Sequence, residues 1–120
     1  MRGSEKVREG KKSVKIRLTE REYRVLGYIT VYRDCTRREF YEEAFTVFLD
    51  ERDSPEFAYR VGPKDGRDVC AVCERTLVVE VAEQADVDNV SRVAAYYTAI
   101  QNHIDRCRDD VVPIQEAQSG

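Results

Sequence analysis

A segment of alternating residues near the N-terminus constrains the fold more than any other feature of the chain. Over residues 13–19 (SVKIRLT), three apolar side chains alternate with three polar ones: Val14, Ile16 and Leu18 with Ser13, Lys15 and Arg17. A period of two predicts a half-buried strand with one apolar face and one cationic face. A single strand is not stable alone, because its backbone groups need a second strand.

Two capping boxes follow this segment, Thr19–Glu22 and Thr36–Glu39. Each predicts the start of a helix, because the threonine hydroxyl and the glutamate carboxylate satisfy each other's backbone N–H groups. The second helix has a wide apolar stripe and is expected to end before Pro55. Its stripe consists of Phe40, Ala44, Phe45, Phe48 and Leu49.

One strand and two short helices bury too little apolar surface for a stable monomer. We therefore expect a homodimer in which two chains pair their residues 13–19 antiparallel. Lys15 and Arg17 of both chains would then project from one exposed two-stranded ribbon. Such a ribbon fits the major groove of double-stranded DNA.

Charge is distributed unevenly along the 120 residues. Residues 1–38 hold twelve Lys/Arg and five Asp/Glu, a charge of +7. The net charge of the chain is −3, so the remaining residues carry a charge of −10. A basic end on an acidic body is typical of a protein that presents one face to a polyanion. An uneven but merely solvated surface has the same composition.

From about Lys11 to Asp53 the chain resembles the ribbon-helix-helix family of the Arc/MetJ/CopG type. The matching features are a strand ending in Leu18, a short helix with Leu26 and Ile29, and the helix start Thr36–Phe40 followed by Ala44. The chain departs from the family pattern at Asp34, where glycine is usual, and at Thr19, where proline is common.

The resemblance implies roles for individual residues. It implies base contacts for Ser13, Lys15 and Arg17, and a phosphate contact at the start of the second helix. A helix N-terminus favours phosphate on physical grounds as well, because it presents unpaired N–H groups and partial positive charge. The residues expected at phosphates are Lys11, Lys12, Thr36, Arg37 and Arg38.

The second half contains a C-x2-C pair, Cys70 and Cys73, and a helix with His103 four residues before Cys107. Residues at i and i+4 share one face of a helix, so these four side chains form the ligand set of a structural zinc site. Free buried cysteines, a redox C-x-x-C pair and a disulfide are the alternatives. Cys35 is expected to be a small buried residue and not a ligand.

The residues between these ligands suggest a strand over Thr76–Val81 and a helix from Val87 to Arg108, capped by Asp86 or Asp88. The helix residues after Ser91 resemble those after Thr36 at a constant offset. A degenerate second ribbon-helix-helix unit would explain this similarity. We rank that hypothesis below zinc, because about eight residues are missing between Val81 and Ser91 for a first helix.

The predicted architecture is α+β and mainly helical, with an intertwined ribbon-helix-helix dimer and a small strand-helix module that zinc would stabilise. Its predicted parts are a basic arm (1–10), the ribbon-helix-helix domain (11–53), a linker (54–68), the C-terminal module (69–108) and a flexible tail (109–120).

The predicted function is that of a transcriptional regulator, in particular a repressor that binds double-stranded DNA in the cytoplasm. The alternatives are a plasmid relaxosome or partition accessory, an antitoxin, and a protein–protein adaptor that uses the ribbon only to dimerise. The acidic C-terminal module could bind a protein partner. No catalytic motif, apolar membrane span or signal-peptide pattern is recognisable, so we expect neither an enzyme nor a membrane protein.

Overall fold

The computed structural model describes residues 10–119, with side chains described as far as Arg108. The predicted basic arm therefore lies outside the described residues, except for Gly10. The elements, in chain order, are β1 (Lys11–Leu18), α1 (Glu20–Tyr32), α2 (Arg37–Glu51), β2 (Arg67–Glu74), α3 (Arg75–Val87) and α4 (Arg92–Ser119). The fold is a small α+β arrangement of four helices and one two-stranded antiparallel sheet.

The first three elements begin and end close to the predicted positions. Both capping boxes form: the Thr19 hydroxyl accepts from the Glu22 backbone N–H at 3.0 Å, and the Thr36 hydroxyl does the same for Glu39. Asp34 ends the turn between α1 and α2 with a φ of 52°. Asp tolerates this left-handed conformation better than most residues, which explains why glycine is not required there.

The second strand comes from the same chain. β1 pairs antiparallel with β2, from Lys11 opposite Glu74 to Leu18 opposite Arg67. The sequence predicts a second molecule at this position because a lone strand lacks a partner, and β2 removes that reason. The chain therefore forms a ribbon followed by helices, a ribbon-helix-helix-like topology, without a second copy.

The prediction of a strand over Thr76–Val81 is wrong, because this segment lies in the helix α3. The buried residues of α3 follow helical spacing and not alternation: Val78, Val81, Ala82 and Ala85. The strand lies one segment earlier. There the alternating core residues are small, so their periodicity is weak: Val69, Ala71 and Cys73.

The chain consists of two consecutive strand–helix–helix units. The first helices begin at Glu20 and Arg75 and the second helices at Arg37 and Arg92, an offset of 55 residues in both cases. The repeat hypothesis lacked about eight residues for a first helix between Val81 and Ser91. The structure supplies them, because β2 ends at Glu74, before the predicted strand, and leaves residues 75–87 to form α3. Asn89 has a φ of 59° at the position equivalent to Asp34.

The helix predicted from Val87 to Arg108 is interrupted at its start. α3 ends at Val87, a turn follows, and α4 begins at Arg92. The cap is Ser91 and not Asp86 or Asp88, since the Ser91 hydroxyl accepts from the Ala94 N–H at 3.0 Å. α4 continues to Ser119, beyond the predicted end at Arg108.

Both units contribute to one hydrophobic core. The aromatic rings of Phe40 and Phe45 lie against His103 and Tyr96 of the second unit, with centroid separations of 4.8 and 5.7 Å. The segment between the two units, residues 52–66, also contacts the core helices α2 and α4. Its Phe57 ring packs edge-on against Phe48 of α2, and the backbone N–H of Arg60 donates to Thr98 of α4 at 2.9 Å.

None of the described helices is long and apolar enough to cross a membrane.

Candidate nucleic-acid interface

The outer face of β1 carries a row of polar and cationic side chains. Because side chains alternate along a strand, Lys11, Ser13, Lys15 and Arg17 all face away from the core, and all four are exposed. Their apolar neighbours face inward and are buried: Val14, Ile16 and Leu18. The predicted cationic face is therefore present, together with Lys12, which is exposed near the start of the strand.

The outer face of β2 has a different chemistry. The residues opposite Lys11, Ser13, Lys15 and Arg17 are, in that order, Glu74, Val72, Cys70 and Asp68. This half of the ribbon thus has two carboxylates and two side chains without charge. The Asp68 carboxylate accepts from Arg17 Nε at 2.9 Å, so one of the predicted base-contacting residues is paired across the ribbon.

The start of α2 lies beside β2. The Glu42 carboxylate accepts from the backbone N–H of Glu74 at 2.8 Å and pairs with Arg38 at 2.9 Å, which fixes α2 against the end of the strand. Thr36 and Arg37 are exposed. The cap satisfies the N–H of Glu39, and the first-turn amides of Arg37 and Arg38 have no helical partner. This terminus can therefore accept an anion next to the ribbon.

The predicted zinc ligands are not brought together. Cys70 and Cys73 lie on β2, where residues three apart face opposite sides, so Cys70 is exposed and Cys73 is buried. His103 and Cys107 do share a face of α4, with Nε2 and Sγ 3.7 Å apart. No group of three or more His, Cys, Asp or Glu residues suited to a metal occurs within the described part of the chain. The zinc site stays a prediction that the structure does not support.

Burial affects the two inward-facing cysteines. Burial raises the pKa of Cys73 to about 12, and burial likewise raises the pKa of Cys107. Both sulfurs are therefore protonated thiols near neutral pH. Cys35 is partly buried against the core, close to the predicted role of a small packed residue.

The only histidine is buried, and it belongs to a polar network with more exposed charged side chains that the sequence did not reveal. An arginine can only donate, and Arg106 Nε donates to His103 Nδ1 at 3.3 Å. Nε2 therefore carries the proton and donates to the Glu43 carboxylate at 2.7 Å. The same carboxylate accepts from Arg33, whose guanidinium also contacts Cys107 Sγ at 3.2 Å. Glu43 lies 10 positions from Arg33 and 60 from His103, and Arg33 lies 74 from Cys107, so no local pattern links these pairs.

The protonation states in this network follow from burial and charge. Burial lowers the pKa of His103, and the neighbouring Glu43 only partly opposes this shift. The pKa of Glu43 is itself lowered, chiefly by its hydrogen bond with Arg33. The network is therefore a carboxylate held between an arginine and a neutral histidine, which ties α2 to α4.

Comparison with models of known families, with curated proteins and with solved structures finds no match.

Proposed function

We propose that the protein is a sequence-specific double-stranded DNA-binding regulator that inserts its ribbon into the major groove. The observation that carries the proposal is the outer face of β1. This face presents Ser13, Lys15 and Arg17 on a two-stranded antiparallel ribbon, whose width suits the major groove. Lys and Arg side chains in that groove form the commonest specific contacts, with guanine O6 and N7.

Positioning contacts would come from cations around the ribbon. Lys11 and Lys12 lie at the start of β1, and the N-terminus of α2 supplies Thr36, Arg37 and Arg38. Contacts of this kind fix the register of a protein on DNA without reading sequence. A repressor needs no more than tight binding at an operator, so repression is the role that we propose. A relaxosome or partition accessory and an antitoxin would use the same ribbon.

The two strands would contribute unequally to DNA binding. β1 would read bases, whereas Asp68 and Glu74 on β2 repel phosphate. A single chain would therefore recognise an asymmetric site, with most contacts on one half. The homodimer stays a prediction: a second copy would add a second reading strand, although the ribbon itself does not need one.

A protein–protein adaptor is the second candidate, and the outer face of β2 favours it. Val72 is an exposed apolar residue on that face, at 37% of its full accessibility, between Cys70 and Glu74. An apolar side chain beside the Glu74 carboxylate, on a face that also carries Asp68, suits a protein partner better than DNA. On this hypothesis the cations of β1 are only the solvated side of the ribbon.

Selection of bound sequences from a random DNA pool is the first test, followed by affinity measurements on the selected site and on a shuffled one. We expect the double variant Lys15→Ala/Arg17→Ala to bind the selected site about 100-fold more weakly, since each base contact contributes roughly 1–3 kcal/mol. Its affinity for shuffled DNA should fall much less. Circular dichroism should show the wild-type helix content.

The control is the charge-matched double variant Arg60→Ala/Arg108→Ala. Both side chains pair with Asp105 of α4, and neither residue lies on the ribbon or at the start of α2. This variant should keep the preference for the selected site. If the pool yields no enriched sequence, or if both double variants bind alike, the DNA proposal fails and the adaptor becomes the better hypothesis.

A further inference from the structure

A cavity of about 460 Å³ lies between the start of α2 and β2. Its lining residues are Tyr23 and Tyr41, the arginines Arg37, Arg38 and Arg67, and residues of β2 that include Val72 and Cys70. Ligand sites for small molecules begin at volumes of roughly 300 Å³ and combine an apolar lining with a few polar groups. The volume of this cavity falls in that range, and its three arginines favour an anionic ligand.

Tyr41 supplies the most specific feature of the cavity. The residue is 2% exposed, and its hydroxyl lies near the Arg37 guanidinium without a hydrogen bond shorter than 3.5 Å to any described residue. A buried hydroxyl without a partner costs roughly 1–3 kcal/mol. Burial also raises the pKa of Tyr41, so the group is a neutral phenol that can donate. A donor held unpaired at the wall of a cavity suits an acceptor that enters from outside.

Positive charge converges on the same cavity. The guanidinium carbons of Arg37 and Arg67 lie 4.7 and 4.5 Å from the centre of the Tyr23 ring, which holds two cations against one aromatic side chain. Arg67 has one carboxylate partner, Glu20, at 3.2 Å. Arg37 pairs with no carboxylate among the described residues. The Asp68 carboxylate at the rim is engaged by Arg17.

We propose that this cavity binds a small organic anion, a phosphate monoester or carboxylate attached to an apolar or aromatic body. The anionic group would accept from the Tyr41 hydroxyl and from the guanidinium groups of Arg37 and Arg67. The body would lie along Val72 and the tyrosine rings. The unpaired hydroxyl distinguishes the cavity from a simple helix N-terminus, which would need no buried side-chain donor.

The same cations could instead hold a phosphate of the DNA backbone, so the test separates the two sources. Calorimetric titration of the full chain without DNA would use phenyl phosphate, with inorganic phosphate as the comparison. We expect saturable one-to-one binding of phenyl phosphate and at least tenfold weaker binding of inorganic phosphate, which lacks the apolar body. Equal affinities, or no saturable binding at millimolar concentration, would overturn the proposal.

Two variants test the donors. Tyr41→Phe and Arg67→Gln should each weaken phenyl phosphate binding about tenfold, as expected for a lost hydrogen bond to a charged group. The matched control is Tyr32→Phe, since Tyr32 is exposed at the end of α1 and lies outside the cavity lining. Equal affinity of Tyr41→Phe and wild type would refute the assignment.

Two readouts separate lost binding from lost folding. Without ligand, Tyr41→Phe should melt no lower than wild type, because the substitution removes an unpaired buried hydroxyl. Cys70 is exposed at the cavity, whereas Cys73 and Cys107 are buried, so iodoacetamide should label Cys70 first. Phenyl phosphate should slow this labelling in wild type and not in Tyr41→Phe. Unchanged labelling of wild type with phenyl phosphate present would place the ligand elsewhere and overturn the proposal.

The proposal does not depend on DNA binding. The substitution Lys15→Ala is expected to weaken binding to DNA while leaving the affinity for phenyl phosphate unchanged, because Lys15 does not line the cavity. Failure of either function can therefore be recognised separately.

Discussion

The two strand–helix–helix units share a backbone plan and differ in what their strands present. β1 turns Lys11, Lys15 and Arg17 outward, and β2 turns Asp68 and Glu74 outward. The inner faces of both strands must fill one core, so both remain apolar. The comparison teaches that burial fixes the inner pattern of a repeat, whereas its outer face is free to acquire a different function.

The cores of the two units are also complementary. The first unit places the large residues Phe40 and Phe48 at positions where the second unit has Ala95 and His103. Phe40 packs on His103 across the interface between the units. In a symmetric pair of first units, Phe40 would meet a second Phe48 at this place. The side-chain volumes therefore favour pairing between unlike units, as the single chain provides.

The largest effect is expected from a charge in the buried face of β2. Ala71 is fully buried and lies opposite Val14 on β1. Ala71→Asp should lower the free energy of unfolding by about 4 kcal/mol, because it buries a carboxylate without a partner. Both units should unfold together in urea, as followed by circular dichroism and tyrosine fluorescence.

The control for this substitution is Cys70→Ser, one residue away on the exposed face, which should change stability by no more than about 0.5 kcal/mol. Suppose that residues 11–53 of the Ala71→Asp variant remained folded, for example as a dimer. This result would contradict the view that both units depend on one shared core. It would show that the first unit does not need β2.

A smaller effect is expected from making the two strands more alike. Asp68→Asn removes a negative charge from the outer face and weakens the contact with Arg17, which still donates to the Lys64 carbonyl. On the DNA proposal, affinity for the selected site should rise about three- to tenfold. The slope of log affinity against log salt concentration should steepen by about 0.9, the value expected for one additional phosphate contact. Fluorescence anisotropy at several salt concentrations measures both quantities.

Asp53→Asn provides the charge-matched control. Asp53 is an exposed carboxylate paired with Arg52, just beyond the end of α2 that is distant from the ribbon. It should leave affinity and slope nearly unchanged. An equal gain in both variants would mean that overall charge, and not the β2 face, limits binding.

The smallest effect concerns the pH dependence of stability. An unfolded histidine titrates near 6.5, whereas burial lowers the pKa of His103 in the folded protein. Below pH 6.5 the unfolded chain thus binds more protons, so this contribution to stability is full above 6.5 and is lost as the pH falls towards the folded pKa. Glu43, Arg33, Arg106 and Cys107 surround the imidazole.

His103→Phe should flatten this dependence, because phenylalanine does not titrate and is the residue at the equivalent position of the first unit, Phe48. Urea unfolding at pH 7.5, 6.5 and 5.5 supplies the comparison. Both the wild type and His103→Phe should still lose stability at lower pH. The pKa of Glu43 is lowered in the folded protein, so ionised Glu43 contributes stability that is lost as the pH falls through that pKa. Identical slopes between pH 7.5 and 5.5 would exclude His103 as the source.

The sequence predicts the first unit well and the second poorly, for identifiable reasons. Strong local signals mark the first unit, namely the alternation around Ile16 and the two capping boxes. In β2 the inward residues Ala71 and Cys73 are small, so alternation is weak, while the apolar run of α3 resembles a strand. Weak local patterns yield to tertiary context in such segments.

The spacing of the cysteines and the histidine predicts a ligand set that the structure does not bring together. Cys70 and Cys73 would lie together in a turn, but a strand places them on opposite faces. The salt bridge from Arg17 to Asp68 and the network around His103 depend on contacts between residues far apart in the chain. Only the pairing of β1 with β2 and of α2 with α4 reveals them.

The pairing of β1 with β2 inside one chain has a consequence for concentration. A ribbon shared by two molecules dissociates on dilution, whereas a ribbon closed within one molecule folds by a first-order reaction that mass action does not affect. We therefore expect a melting temperature that does not vary with protein concentration. A few copies per cell would then be as completely folded as a concentrated solution.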